Sequence, residues 1–183
     1  MALITSPSVK SASGFTLIDL LFTCSLIGLI STLAIPGLMR ARGVAQSASA
    51  VGTLRVINSA QLSFAVTCGS GFYSADLQTL GVKPPAAYQA FLTPDMTAAA
   101  SFIKQGYNFS MTGTSFTGAP PTCNGASADF GSPGYVAIAD PLDQPGNPHF
   151  YGTNADGTIY EDTSTFSLVM PESGPSLKGI AIH

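Results

Sequence analysis

The 25 residues from Phe15 to Met39 contain a single charge, Asp19, and they constrain this chain more than any other feature. An α-helix rises about 1.5 Å per residue and roughly 20 apolar residues cross the hydrocarbon core of a bilayer, so the run is long enough to span one. A carboxylate inside a span costs about 2.5–3.5 kcal/mol on insertion scales and points to function unless something compensates it. Lys10 and the N-terminal amine precede the run while Arg40 and Arg42 follow it, so the distribution of positive charge leaves the orientation nearly tied.

A chain of 183 residues has room for one ordinary domain plus an appendage. Only 9% of residues are charged and 45% are hydrophobic, an unusual balance for a soluble enzyme. The formal net charge is −3, and apart from Arg40/Arg42 the seven basic residues are scattered. No basic patch interleaved with aromatics is present, so no nucleic-acid partner is evident. His149 and His183 are the only histidines, and no His/Cys cluster has zinc spacing. Gly69-Ser70-Gly71 follows no strand and reads as a flexible loop, and no nucleophile elbow or phosphate loop occurs. Asp140 and Asp143 lie among Pro141, Pro145 and Pro148, which indicates a surface loop rather than a catalytic pair. The chain is read as no enzyme.

Three ordinary accounts of the N-terminus each leave something unexplained. A secretory signal would cut after Thr32-Leu33-Ala34, yet Pro36 follows closely and Asp19 interrupts the apolar region. A lipoprotein box at Leu21-Phe22-Thr23-Cys24 contains a bulky Phe22 after a short, charged stretch. A plain anchor has no use for Asp19.

Gly14-Phe15-Thr16-Leu17-Ile18-Asp19-Leu20-Leu21, with Gly28 and Ala34-Ile35-Pro36 further on, resembles the class III signal of type IV pilins and type II secretion pseudopilins. The resemblance implies that prepilin peptidase cuts between Gly14 and Phe15 and methylates the new N-terminal phenylalanine. Residues 1–14 would be a leader, and 15–39 a transmembrane helix that later enters a filament core. The family usually has glutamate five residues after the cut, where this chain has Asp19. That carboxylate would meet the N-terminal amine of a neighbouring subunit during assembly, a pair whose members are costly to bury singly. The implied partners are the peptidase, an inner-membrane assembly platform and other pilin subunits. The implied location is the bacterial inner membrane, crossed once with the head outside the cytoplasm, and then a pilus or periplasmic filament. A pseudopilin of a secretion apparatus, or a minor tip pilin serving adhesion or DNA uptake, carries the same signal; deletion phenotypes separate the three.

Pro36 removes a backbone donor and is expected to kink the helix rather than end it, because helical spacing resumes after Gly37. Val44, Ala48, Val51 and Leu54, then Ile57, Ala60 and Phe64, recur at three- and four-residue steps. Arg40, Arg42, Gln46, Arg55 and Asn58 supply polar faces. The spacing predicts one helix over 15–66, with residues 40–66 laying an apolar stripe on a head formed by 67–183. In that head, 77–83 reads as a short turn or helix, and 86–103 as an irregular connection with at most one helical turn. Strands are expected at 106–111, 134–139, 149–153 and 158–161, with 166–169 a weaker candidate. Asp156-Gly157 marks a hairpin. The expected fold is α+β, a long N-terminal helix packed on a small antiparallel sheet; the Gly-Tyr strand and the Asp-Gly-Thr-Ile hairpin look like the heads of short pilins and major pseudopilins.

In an exported head, Cys68 and Cys123 are expected to pair, the alternative being two free thiols; Cys24 in the apolar run acts as a small apolar residue. Some major pseudopilins bind calcium near the C-terminus, and on that resemblance Asp156, Glu161 and Asp162 would supply oxygens. With Gly157 as the sixth position of an EF-hand loop, the first and twelfth would be Gly152 and Thr163, which lack carboxylates. A turn with solvated acids is the competing reading, and no other cofactor is implied.

Overall fold

The structure, a computed structural model, describes residues 14–182; residues 1–13, most of the expected leader, and the terminal His183 lie outside the described residues. Its elements are α1 (Leu17–Thr67), α2 (Leu77–Gly81), α3 (Pro94–Thr97), β1 (Ser101–Lys104), β2 (Tyr107–Thr112), β3 (Val136–Pro141), β4 (Phe150–Asn154), β5 (Ile159–Asp162) and β6 (Ile180–Ile182). The chain divides into two compact units, Met1–Arg40 and Ala41–His183.

In the first unit the helix is apolar on every side and buried on none, and it is long and apolar enough to cross a membrane. Pro36 lies inside α1, where its ring nitrogen cannot donate to the Thr32 carbonyl.

In the second unit all six strands form one antiparallel sheet in sequence order, β1-β2-β3-β4-β5-β6. Side chains alternate across a sheet, and this sheet uses both faces. Tyr107, Phe109, Met111, Ala137, Ala139, Tyr151 and Ile159 pack toward Ala50, Leu54, Ile57, Ala60 and Phe64 of α1. On the opposite face, Phe150 forms a smaller core with Phe166 and Met170, flanked by Val136, Ile138 and Tyr160. β4 is therefore buried at every position.

The buried stripe of α1 starts later than expected. Val44 is 72% exposed and Ala48 is exposed, while Ala50, Thr53, Leu54, Ile57, Ala60, Gln61, Phe64 and Cys68 turn inward. Polar side chains set its seat. Gln61, fully buried, accepts from the Ser74 N–H (2.8 Å) and donates to the Ser74 carbonyl (2.9 Å). Asn58, expected on a polar face, donates to Thr153 Oγ1 (2.9 Å) and accepts from the Tyr135 hydroxyl (2.9 Å). Tyr107 donates to the His149 carbonyl (3.0 Å), and its hydroxyl shares a bond with Ser47 of α1 (3.2 Å). Paired groups of this kind avoid the burial penalty and fix one register of helix on sheet.

Four strands fall within two residues of their expected positions, and the hairpin at Asp156-Gly157 closes β4 on β5, with the Gly157 N–H on the Asn154 carbonyl (2.9 Å). Two strands were not expected. β1 occupies part of the supposed irregular connection and pairs with β2 through Gln105-Gly106, both at positive φ (48° and 81°), a turn whose twist suits a hairpin. β6 adds three residues to the other edge. The candidate strand at 166–169 is instead a turn: the N–H groups of Val169 and Met170 both bond the Phe166 carbonyl (3.1 Å each), and Leu168 sits at φ +67°. Phe166 needs that turn to lie over Gly152, where an added Cβ would come within 2.8 Å of its ring.

Candidate assembly site

Thr16 and Asp19 form a reciprocal pair at the start of α1. The Asp19 N–H donates to Thr16 Oγ1 (3.3 Å), the Thr16 N–H reaches Asp19 Oδ2 (3.4 Å), and the Thr16 hydroxyl donates to the same oxygen. This is a capping box with aspartate in the position usually held by glutamate or glutamine, and it occupies two donors that a helix start leaves without partners. A carboxylate in the first turn also faces the positive end of the helix dipole. The Thr-x-x-Asp spacing of this box is readable in the sequence. Gly14 and Phe15 are exposed, Phe15 at 87%, as are Arg40 and Arg42.

Around this end, Phe15, Leu17, Ile18, Leu20, Leu21, Phe22, Ile27, Leu29 and Ile30 are all more than half exposed. A helix apolar on every side leaves a large hydrophobic surface in contact with solvent. Cys24 is a free thiol within that surface.

At the far end of α1, Cys68 and Cys123 form a disulfide with Cα atoms 4.8 Å apart. It joins the residue after the helix to the 114–132 loop, reinforced by the Cys123 N–H on the Cys68 carbonyl (3.1 Å).

The three acids proposed for calcium do not converge. Asp162 accepts from the Ser164 N–H and hydroxyl (2.9 Å each), which holds its carboxyl below the usual range. Glu161 bonds His149 Nδ1, and Asp156 is exposed. Among the described residues no three His, Cys, Asp or Glu side chains are placed to hold a metal ion.

Asp140 and Asp143 do separate work. Asp143 Oδ1 accepts from the Gly146 N–H (3.3 Å) within a turn. Asp140 belongs to β3 rather than a loop; its Oδ2 accepts from the Thr165 hydroxyl (3.0 Å), while its buried Oδ1 has no partner. Burial pushes the Asp140 carboxyl up. The same cause raises Tyr107, Tyr135 and Tyr151, all hydroxyls inside or beside the main core. The His149–Glu161 pair was not foreseen; it edges a cleft of about 460 Å³ with Asp162, Gly179, Ile180 and Ile182.

The chain matches no protein-family model, no curated protein and no solved structure.

Proposed function

We propose that this chain is a structural subunit of a type IV pilus-like filament. One observation carries the reading: the Gly14-Phe15-Thr16-Leu17-Ile18-Asp19 motif opens directly into an uncovered apolar helix whose later turns are seated on an α+β head. In this proposal prepilin peptidase removes Met1–Gly14 and methylates Phe15, and the subunit waits in the inner membrane as a single-pass protein. The assembly platform then transfers the apolar helix from lipid to a bundle of sister helices. Close packing of helix on helix supplies cohesion.

Asp19 supplies register. Its carboxylate already accepts from Thr16 within its own chain, which lowers the cost of carrying it in an apolar setting. The remaining acceptor capacity is directed to the Phe15 amine of a neighbour, and the two charges are tolerable together where neither is alone. The head has no part in chemistry on this reading and forms the filament surface.

Intact mass of the protein from membranes or sheared filaments tests the processing step. The expected species lacks Met1–Gly14 and carries one added methyl group. A full-length chain in assembled filaments, or filament yield undiminished by Asp19→Ala, would remove the basis of the proposal.

A further inference from the structure

The residues that follow β3 are fastened to α1 at Gly43–Ser47. The Leu142 N–H donates to the Gly106 carbonyl (2.9 Å), and a Cβ added at Gly106 would come within 2.8 Å of the Gln46 amide. Asn147, buried, donates to the Gly43 carbonyl (3.3 Å) and accepts from the Ser47 hydroxyl (3.2 Å). Its own N–H closes the turn on the Asp143 carbonyl (2.9 Å). Residues 142–147 therefore part from this stretch of α1 only by breaking buried hydrogen bonds. Two apolar side chains stay uncovered there. Val44 and Leu142 are both more than half exposed, and neither joins a core of the head. Arg42, also exposed, stands two residues before Val44. Asp143 is the one acid in 142–147, and its Oδ1 accepts from the Gly146 N–H (3.3 Å).

Chain length determines what lies against these side chains. The apolar run ends at Met39, four residues before Gly43. Four residues rise about 6 Å as helix and reach at most about 14 Å fully extended, whatever the angle between the two units. A bilayer with about 30 Å of hydrocarbon measures about 40–45 Å with its headgroups, so each polar layer is about 5–8 Å deep. With Leu17–Met39 in the bilayer, Gly43 and the turn held on it stand in or against that layer. A basic side chain at the end of a span keeps its stem in apolar surroundings and its charge among the phosphates, to which anionic lipids attract it.

We infer that Arg42, Val44 and Leu142 form a lipid-contact surface of the head: Arg42 binds the phosphates of anionic lipids, and Val44 and Leu142 enter the headgroup layer beside it. The inference rests on the membrane-spanning reading of Leu17–Met39 and deepens it by assigning the edge of the head that meets the bilayer. The contact holds the head on the membrane before assembly and is given up when the apolar helix leaves the lipid.

The test reconstitutes the full chain, with the photo-crosslinking residue p-benzoylphenylalanine at position 142, in vesicles of phosphatidylethanolamine and phosphatidylglycerol. Resistance to alkaline carbonate first scores insertion. Irradiation is then expected to give covalent lipid adducts at 142, read by mass spectrometry, and far fewer with the same residue at position 88. Tyr88 is fully exposed and lies three residues from Phe91, which packs edge-on against Phe64, about 30 Å along α1 from Gly43. An inserted chain without lipid adducts at 142, or with equal adducts at both positions, overturns the contact and leaves the span standing. Crosslinks from 142 to a second copy in place of lipid also overturn it. A chain that carbonate strips from the vesicles removes both readings. Arg42→Gln drops the charge from an exposed position, so the head's Tm is expected to hold while adduct yield at 142 falls about fivefold, the worth of one basic residue at an anionic surface. Unchanged yield in that variant overturns the phosphate contact.

Discussion

The two parts of α1 are built from similar residues and end in opposite conditions. Between Leu17 and Met39 the side chains of Leu17, Leu21, Phe22, Ile27, Ile30 and Leu38 lie open, and no element of the described structure covers them. From Ala50 to Cys68 every inward residue is taken: Leu54, Ile57 and Phe64 are fully buried, and Gln61 has its amide satisfied on both sides. The first part is apolar all round and uncovered, while the second is apolar along one stripe that the sheet covers. Helical propensity is common to both, so what differs is where each obtains its stability.

The largest expected effect falls on the seated part. Reducing the Cys68–Cys123 bond, or the double change Cys68→Ser with Cys123→Ser, frees a loop with a sequence separation of 55. Chain entropy sets the cost to the head at about 4 kcal/mol or somewhat less, readable as a lower urea midpoint of the full chain in detergent. Secondary structure near Leu17–Met39 should persist through that transition.

A paired substitution sharpens the contrast next. Leu54→Ala leaves a cavity under the sheet and should cost the head about 3 kcal/mol. Leu26→Ala removes the same atoms from an exposed surface and should leave the head's Tm unchanged; on the proposed filament reading it should weaken polymer formation. Equal loss of head stability in both variants would erase the distinction between the two parts.

How far these parts were legible in the sequence follows from what each depends on. The alternation in Tyr107–Met111 and Tyr135–Ile138 and the Asp156-Gly157 turn are local, and they locate the central strands. β1 escaped because four residues are too short for an alternation to show, although Gln105-Gly106 offered a hairpin signal. β6 is only three residues long and ends the described chain. Val44 and Ala48 fit the helical spacing yet face outward, because a stripe of small apolar residues does not say where the sheet beneath it begins. Gly14, Phe15 and Asp19 stood out by motif and charge; the Thr16 partnership needed only the three-residue spacing. The turn at 166–169 reads as a strand in the sequence, since the burial of Phe166 against Gly152 and the left-handed backbone of Leu168 are tertiary facts.

A smaller effect concerns the very start of the apolar part. Thr16→Ala removes the side-chain acceptor for the Asp19 N–H and the donor that engages Asp19 Oδ2. Loss of a cap of this kind costs about 1 kcal/mol of local helix stability. Hydrogen exchange in detergent should quicken over the first turn of α1 and nowhere in the head; Thr16→Ser should restore protection, since it keeps the hydroxyl.

The smallest effect belongs to the head and depends on pH. Asp140 has one carboxylate oxygen on Thr165 and one buried without a partner, and burial raises its folded-state pKa above the unfolded value. A group shifted upward holds its proton more tightly in the folded state, so ionising it works against folding. The penalty is fully present at neutral pH and fades as pH falls through the raised value toward the ordinary carboxylate range. Lys178, which lies near enough to favour the charged form, offsets part of it. Asp140→Asn keeps an oxygen for Thr165 and removes the charge. It should stabilise the head at neutral pH by less than about 1 kcal/mol, because the half-exposed carboxyl is screened by solvent. The gain should vanish in acid, and a constant difference between the two proteins from neutral to acidic pH would show that Asp140 titrates as it does in the unfolded chain.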